Sequence, residues 1–272
     1  SGDNSQPWQF EILDATHLII HGHDQADTDL YDYHAGQPSL LSLGFLLESI
    51  SLAASRFGYR IDWHYQPAGA HQHRIEVHFI AQAAPEDPLL DFLPIRSVNR
   101  RPFRSTALSA DQKHQLEAAL GDTLEIRWSE RFSERWRQAS LCAQAANIRL
   151  NSETATNTLR KVLDWSGPYS QTGIPAQATG VDKGTELLMR WAMQDWSRLR
   201  FLNRYLAGTL MPRLQLEIIP GLCCAAHFSI RYKTPTDLGK PEHLLNAGRA
   251  LQRFWLTATR LGLSMQPTFS PL

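Results

Sequence analysis

The sequence predicts an α+β fold built from two related halves. Short runs that alternate apolar and polar residues, typical of strands, are interspersed with longer helical patterns along the 272 residues. Two long apolar helices, predicted at residues 40–57 and 241–261, also match at an offset of 204 positions: residues 40–58 and 244–262 share eight identities in nineteen aligned positions. This agreement exceeds that of unrelated helices and indicates an internal duplication.

The matched positions include one glycine inside each helix and one at its end. Gly44 aligns with Gly248, and Gly58 aligns with Gly262. An interior glycine costs about 1 kcal/mol relative to alanine, so its presence at both places predicts close helix packing. We therefore expect an incomplete first half, residues 1–87, and a second half, residues 88–272, that associate as a pseudo-dimer within one chain.

The first half is predicted to surround its long helix with strands. Alternation predicts four strands, at residues 8–13, 17–21, 59–65 and 74–80. The apolar residues of the helix cover more than one face, which predicts a buried helix that ends at Gly58. Since no apolar run approaches twenty residues, no membrane-spanning helix is expected. An Ala/Pro/acidic stretch at residues 81–88 predicts a linker.

The second half is predicted to be mainly helical. The patterns predict helices at residues 89–93, 109–120, 131–148, 151–163, 185–206 and 241–261, and strands at residues 124–128, 214–219 and 222–230. Residues 164–180, which we call the lid segment, are rich in Gly and Pro. They are long for a plain connection, as is typical of loops that cover active sites.

Composition limits the classes of partner. With 27 basic and 27 acidic residues the formal net charge is zero, so neither nucleic acid nor an anionic membrane is an expected partner. The cysteines, Cys142, Cys223 and Cys224, are too few for a disulfide framework. They indicate a reducing compartment, and we expect a cytoplasmic protein.

Two polar segments are candidate ligand-binding turns. The chain opens with Ser-Gly-Asp-Asn-Ser-Gln-Pro-Trp, in which Gly2 allows close backbone approach and Ser1 and Asn4 offer short polar groups. Residues 96–103 read Arg-Ser-Val-Asn-Arg-Arg-Pro-Phe. Guanidinium groups pair bidentately with phosphate oxygens, and the position between a linker and a helix suits a phosphate-binding turn. Taken alone, these patterns also suit an ordinary turn and a solvated charged face.

These features resemble the FMN-dependent nitroreductase family in its tandem, pseudo-dimeric form. The opening turn is similar to the family's flavin-ring turn, Ser/Gly-x-Asn-x-Gln-Pro-Trp. Residues 96–103 are similar to the tandem subfamily's Arg-x-Thr-Asn-Arg-Arg-Pro-Phe, with Val98 in place of the hydroxyl residue. The Trp-x-Gly…Gly-Ile-Pro lid at 165–175 and the Asn-Ala-Gly-Arg-Ala-Leu helix at 246–251 resemble the same subfamily.

The resemblance implies a nitroreductase-like fold with one FMN bound between the halves. The implied cofactor-binding residues are Ser1, Gly2, Asn4 and Gln6 on one side, Arg96, Ser97, Asn99, Arg100 and Arg101 on the other, and Arg249 as a substitute phosphate ligand. The implied reaction is ping-pong hydride transfer from NAD(P)H to a nitro, quinone, enone or similar small-molecule acceptor. No side chain needs to act as acid or base. The pseudo-dimer is also compatible with further homodimerisation.

Two alternatives remain open at this point. The pairs His21-x-His23 and His71-x-His73 place both rings on one strand face, as a metal site requires, although no nearby cysteine or acidic triad completes a site. The second alternative is non-catalytic: a flavin-sequestering protein, or a scaffold or partner-binding module within a larger fusion protein. Bleaching of a bound flavin by NAD(P)H separates the enzyme from these modules.

Overall fold

Strands and helices segregate along the chain, as expected of an α+β protein. The structure, a computed structural model, describes residues 4–24, 32–83 and 85–268. Helices account for 47% and strands for 20% of it, in small sheets, which confirms the predicted α+β class.

The first half contains an antiparallel four-stranded sheet. Its strands are β1 (Trp8–Ile12), β2 (His17–His23), β3 (Tyr59–Gly69) and β4 (Gln72–Ala81), in the order β1-β2-β4-β3. Ile20, Ile75 and Tyr65 are neighbours across three strands, and all are buried. Because side chains alternate, the next residues along these strands point to the opposite, more polar face. The four predicted strands are confirmed.

The long helix α1 (Tyr33–Ser55) covers the apolar face of this sheet. His34, Ala35 and Gly36 have positive φ, so regular helix resumes just before Pro38, which fits the first turn of a helix. Farther along, α1 buries leucines against Ile20 and Ile75 of the sheet. After the helix, Gly58 with φ of +74° turns the chain into β3.

The helix α1 is more apolar than the sequence criterion allowed for. An 18-residue stretch within its 23 residues has a mean hydropathy of 1.3, so by length and composition alone α1 passes the test for a membrane-spanning helix. Isolated serines and Glu48 interrupt the apolar run without ending the helix. In the fold, α1 packs between the sheet and the last helix, α9 (Pro241–Arg260), as a core helix does.

The helices α1 and α9 touch at two glycines. A Cβ atom built on Gly44 would lie 2.8 Å from the Gly248 Cα atom and would collide with the Leu245 carbonyl oxygen. A Cβ atom built on Gly248 would lie 2.8 Å from the Gly44 Cα atom and would collide with the Leu41 carbonyl oxygen. Since Leu41 and Leu245 also correspond at the offset of 204, the contact is reciprocal. Close packing at both glycines is thereby confirmed.

The second half is mainly helical. Its elements are the 3₁₀ turn Leu90–Phe92, α2 (Ala110–Ala119), β5 (Leu124–Ser129), α3 (Phe132–Leu150), α4 (Glu153–Val162), β6 (Leu163–Asp164), β7 (Ile174–Pro175), the 3₁₀ turn Ala176–Thr179, α5 (Lys183–Ala192), α6 (Trp196–Tyr205), α7 (Leu210–Arg213), α8 (Ile219–Leu222) and β8 (His227–Tyr232). β5 pairs with β8 in a two-stranded antiparallel sheet, and α2 and α9 pack on this sheet. At the start of α2, Ser109 forms a capping box with Gln112.

The strand predicted at residues 214–219 is wrong. Leu214–Ile218 forms a π-helix that leads into α8. The alternation of Leu214, Leu216 and Ile218 suggested a strand, but a short apolar run does not distinguish a strand from a buried helix. Pro220 cannot donate a backbone hydrogen bond, which is compatible with the wider π turn ahead of it. The neighbouring strand is shifted and forms β8.

The single helix predicted at residues 185–206 is also wrong, because two helices occupy this range. α5 ends before Met193, and α6 begins after Asp195. The Asp195 carboxylate accepts a hydrogen bond from the Ser197 backbone N–H at 2.6 Å and so caps α6. This local cap interrupts a pattern whose apolar spacing continues through the break.

We predict that replacing Gly44 or Gly248 by alanine destabilises the protein. The added methyl group meets backbone atoms of the facing helix, so the helices must separate, at a cost of about 2 to 3 kcal/mol. Urea unfolding measures this loss. The matched control is Ala53→Ser on the exposed side of α1, for which we expect a change within about 0.5 kcal/mol. Equal effects of the glycine and control variants would contradict the close crossing.

Candidate functional site

Apart from Arg249, which lies on α9, the predicted site residues fall into three groups. Ser1 and Gly2 lie outside the described residues. Asn4 and Gln6 form the described part of the opening turn. The segment from Arg96 to Arg101, which we call the arginine turn, lies between the 3₁₀ turn Leu90–Phe92 and α2.

The opening turn binds the lid segment. The Asn4 side-chain amide lies within hydrogen-bonding distance of three lid carbonyl oxygens, those of Ser170 at 3.4 Å and of Gln171 and Gly173 at 3.3 Å. The Gln6 side-chain amide donates to the Gln171 carbonyl at 3.1 Å and to the Asn4 side-chain oxygen at 3.0 Å. These amides therefore hold the backbone of residues 170–173.

The other end of the lid segment packs on the arginine turn. Gly180 has φ of +88°, and a Cβ atom built on it would lie 2.8 Å from the Arg100 carbonyl oxygen and 3.0 Å from the Arg100 Cβ atom. The opening turn and the arginine turn thus contact one stretch of chain at Gly173 and Gly180. Seven extended residues span at most about 25 Å, and the 3₁₀ turn between these glycines shortens that reach. Both predicted turns therefore border the same lid segment.

The backbone of the arginine turn is held by the chain that follows α9. Val98 forms a parallel bridge with Met265, and the Asn99 N–H donates to the Met265 carbonyl at 3.1 Å. The Asn99 side chain accepts from the Arg101 N–H and donates to the Arg101 carbonyl, both at 3.1 Å. Asn99 therefore shapes the turn, whereas the side chains of Ser97 and Arg101 are exposed.

Arg96 is a partly buried positive charge that lies against aromatic rings. Its guanidinium carbon lies 4.2 Å from the ring centroid of Trp255 and 6.0 Å from that of Phe45. Its Nε atom is buried without a hydrogen-bond partner, and no carboxylate of the described residues forms an ion pair with it. Burial lowers the pKa of Arg96. The ring contact offsets part of the desolvation cost, and an anion would offset more.

A buried acid accompanies Arg100. Only 12% of the Glu217 side chain is exposed, and a carboxylate oxygen lies 3.7 Å from an Arg149 guanidinium nitrogen. Burial raises the pKa of Glu217, whereas the charges of Arg149 and Arg100 lower it. Glu217 is not among the predicted site residues because it lies in the segment predicted as a strand. A lone acid within the apolar run Leu-Gln-Leu-Glu-Ile-Ile was the available signal.

The structure does not bring Arg249 together with Arg96. Arg249 donates from Nε to a carboxylate oxygen of buried Glu48 at 2.9 Å. Arg253, one turn later on α9, pairs with the same carboxylate and with Asp87. At about 100° per residue, Arg249 lies roughly 120° around α9 from Trp255, on which Arg96 stacks. Arg249 and Arg96 therefore lie against different faces of α9. Arg249 and Arg253 instead line a cleft of about 970 Å³ beside α2.

The paired histidines contact acidic residues. His21 Nε2 lies 2.8 Å from Glu11, while His71 and His73 both contact the carboxylate of Asp24. Within the described ranges, no group of three or more His, Cys, Asp or Glu side chains has the arrangement to hold a metal ion. Three of the four paired histidines, His21, His71 and His73, therefore contact carboxylates.

We predict that Gly180→Ala loosens the lid segment. Alanine at a positive φ is strained by about 1 kcal/mol or more, and its methyl group also meets the Arg100 carbonyl. Chymotrypsin cleavage beside the exposed Tyr169 should accelerate about tenfold, because each 1.4 kcal/mol of opening free energy is about a factor of ten. Gly167→Ala, with no atom within 4 Å of the added methyl group, is the matched control. Cleavage unchanged in Gly180→Ala would contradict the contact.

We predict that Glu217 makes stability depend on pH. Its pKa in the folded protein is raised, so the unfolded chain ionises first as pH rises above about 4.5. The contribution of protonated Glu217 to the free energy of unfolding is complete below that pH. It is lost as pH rises through the pKa of Glu217 in the folded protein. Glu217→Gln should remove this loss, measured as the free energy of unfolding across the acidic range. Glu153→Gln on the exposed start of α4 should retain it.

Comparison with protein-family models gives no match for this chain. A search of curated proteins likewise finds no matching relative. The resemblance stated above therefore rests on the motifs of the sequence.

Proposed function

We propose that this protein is an FMN-dependent oxidoreductase with a nitroreductase-like fold. The observation that carries the proposal is the position of the lid segment. It binds the Asn4 and Gln6 amides at one end and packs on Arg100 at the other. The two turns that the resemblance assigns to the flavin ring and to the phosphate therefore border one segment of chain.

The reciprocal crossing of α1 and α9 supports a pseudo-dimer. In a two-fold arrangement, residue i of one half contacts residue j of the other, and the converse contact occurs as well. Gly44 meets Leu245, and Gly248 meets Leu41, which satisfies this relation at the offset of 204. Leu52 and its counterpart Leu256 also share one buried cluster.

The phosphate side of the proposed site fits its ligand. The Arg96 Nε atom is a buried donor without an acceptor, beside a guanidinium that no carboxylate of the described residues neutralises. A phosphate would supply oxygen acceptors and negative charge together. Arg101 and Ser97 are exposed on the same turn and can add hydrogen-bond donors. The positive charge of Arg100 also acts on the Glu217 carboxylate. Asn99 would hold the turn, and Arg249 is engaged by Glu48.

The ring side of the site carries suitable donors that are in use. The amides of Asn4 and Gln6 now donate to backbone carbonyls of the lid segment. The carbonyl and N3 edge of a flavin ring would use the same kind of donor. Ring binding in the proposed mode therefore requires residues 170–173 to give up some of these hydrogen bonds.

The protein's part in the proposed reaction is positioning and electrostatics. When bound, FMN supplies two-electron transfer between NAD(P)H and a nitro, quinone, enone or similar acceptor. Amide donors beside the ring would favour negative charge there, and the arginine turn would hold the phosphate. No side chain is required as acid or base. The proposal includes a cytoplasmic location and small molecules as partners.

A second candidate function is flavin sequestration without turnover. The observation that favours it is the set of hydrogen bonds from Asn4 and Gln6 to residues 170–173. A lid held in this way would restrict access of an acceptor to the ring. In the enzyme, NAD(P)H bleaches the bound flavin and an added quinone recolours it. In the sequestering protein, the flavin binds but its colour persists.

We predict that Arg96→Gln weakens FMN binding. Hydrogen bonds to charged groups contribute about 1.5 to 3 kcal/mol, so the dissociation constant should rise roughly ten- to hundredfold. Quenching of FMN fluorescence on titration with protein measures this constant. Arg127→Gln on β5, an exposed arginine away from the turn, should bind FMN as the unchanged protein does.

The result is decisive in both directions. An unchanged protein that fails to bind FMN contradicts both candidate functions. Binding that Arg96→Gln leaves intact contradicts the assignment of the phosphate to the arginine turn. A urea unfolding curve for Arg96→Gln separates loss of a ligand contact from loss of the fold, since Arg96 also packs on Trp255.

A further inference from the structure

The helix pair α5–α6 turns apolar side chains toward solvent. Leu187, Leu188 and Trp191 of α5 are 68%, 49% and 47% exposed. On α6, Phe201 and Tyr205 are 54% and 64% exposed. The packed side of α5 is formed instead by Ala192, which precedes buried Met193. Leu187 and Trp191, which are one turn apart, therefore lie on a different side of α5 from Ala192.

We call the surface formed by the five exposed apolar side chains of α5 and α6 the outer strip. Its members are Leu187, Leu188, Trp191, Phe201 and Tyr205. Leu187 and Trp191 are one helical turn apart, and the Arg198 guanidinium carbon lies 5.1 Å from the Trp191 ring centroid. Phe201 follows Arg198 by one turn, and its ring centroid lies 5.2 Å from that of Tyr205. One contact thus joins Trp191 of α5 to Arg198 of α6, and a second joins Phe201 to Tyr205 on α6.

Basic residues flank the outer strip. Residues 183–206 contain five basic and two acidic side chains, a net charge of +3 in a chain whose total is zero. The basic residues are Lys183, Arg190, Arg198, Arg200 and Arg204. Amphipathic helices with Trp, Phe and Leu on an apolar face and Lys or Arg around it bind at membrane interfaces. Long basic side chains reach the headgroups while the rings enter the acyl boundary.

Other occupants suit the outer strip less well. In a two-fold contact between copies of this chain, the same patch faces itself, so the arginines of both copies would be opposed. Single-stranded nucleic acid binds by stacking bases on aromatic rings, but Leu187 and Leu188 offer no such face. An anionic lipid surface satisfies both the aliphatic side chains and the excess positive charge.

We propose that α5 and α6 dock the protein on an anionic membrane surface through the outer strip. The balanced total charge favours no membrane, but the charge is uneven and is concentrated where the apolar side chains are exposed. The contact is peripheral, because both helices have ten residues and would lie in the interface plane. This proposal does not depend on a bound flavin.

Sedimentation of the full chain with lipid vesicles tests the proposal. We expect the protein to bind phosphatidylserine-containing vesicles, to bind pure phosphatidylcholine vesicles more weakly, and to be released by salt. The double variant Arg200→Gln/Arg204→Gln should reduce partitioning roughly thirtyfold, at about 1 kcal/mol per basic residue. The matched control, Arg60→Gln/Arg127→Gln, removes the same charge from exposed positions in the two sheets.

A second pair of variants tests the apolar part. Leu187→Ser/Phe201→Ser should reduce partitioning at least as strongly, while Ile12→Ser/Phe57→Ser, at positions 78% and 75% exposed elsewhere, should not. All four side chains are exposed, so folding is preserved. No vesicle binding, or equal binding by strip and control variants, overturns the proposal. Strip-dependent binding of an oligonucleotide, or strip-dependent self-association, without vesicle binding overturns it as well.

Discussion

The direct backbone contact between α1 and α9 positions most of the other features. Because Gly44 and Gly248 have no side chains, the helices approach until their Cα atoms nearly touch. On one side of the crossing, Phe45 and Trp255 come within 6.3 Å, centroid to centroid, and form the surface on which Arg96 stacks. On another side, buried Glu48 meets Arg249. One close crossing thus separates an aromatic face from an ion-paired face of the same two helices.

The three arginines Arg96, Arg100 and Arg249 are all predicted to bind phosphate, but they differ in the charges around them. Arg249 forms an ion pair with Glu48 on the facing helix, and Arg100 interacts electrostatically with Glu217. Arg96 is desolvated and rests on rings instead. A ring contact replaces only part of the lost hydration, so of these three arginines Arg96 is the one whose environment an anion would improve most. The candidate site is therefore defined by which arginine lacks a carboxylate rather than by the number of arginines.

The lid segment links regions that are distant in the chain. Through it, the opening turn at Asn4 and the arginine turn at Arg100 become neighbours of one short stretch. Its contacts with the two turns are hydrogen bonds to its backbone carbonyls and close packing at Gly180, which depend on backbone position more than on side-chain identity. The same features that suit a cover over a ligand also explain why its residues show little chemical pattern of their own.

The sequence by itself determined the features that depend on neighbouring residues, such as where helices begin and end. The chain turns after α1 at Gly58 because glycine adopts positive φ freely, and Ser109 caps α2 through its own hydroxyl. The matched glycines predicted the close crossing of α1 and α9. Only the tertiary structure decided that residues 214–218 form a π-helix, that Asn4 binds the lid segment, and that Arg249 pairs with Glu48. These outcomes depend on partners more than 150 residues away for Asn4 and Arg249. Such partners leave no periodic trace in the neighbouring sequence, because a side chain's environment is set by packing and charge across the fold.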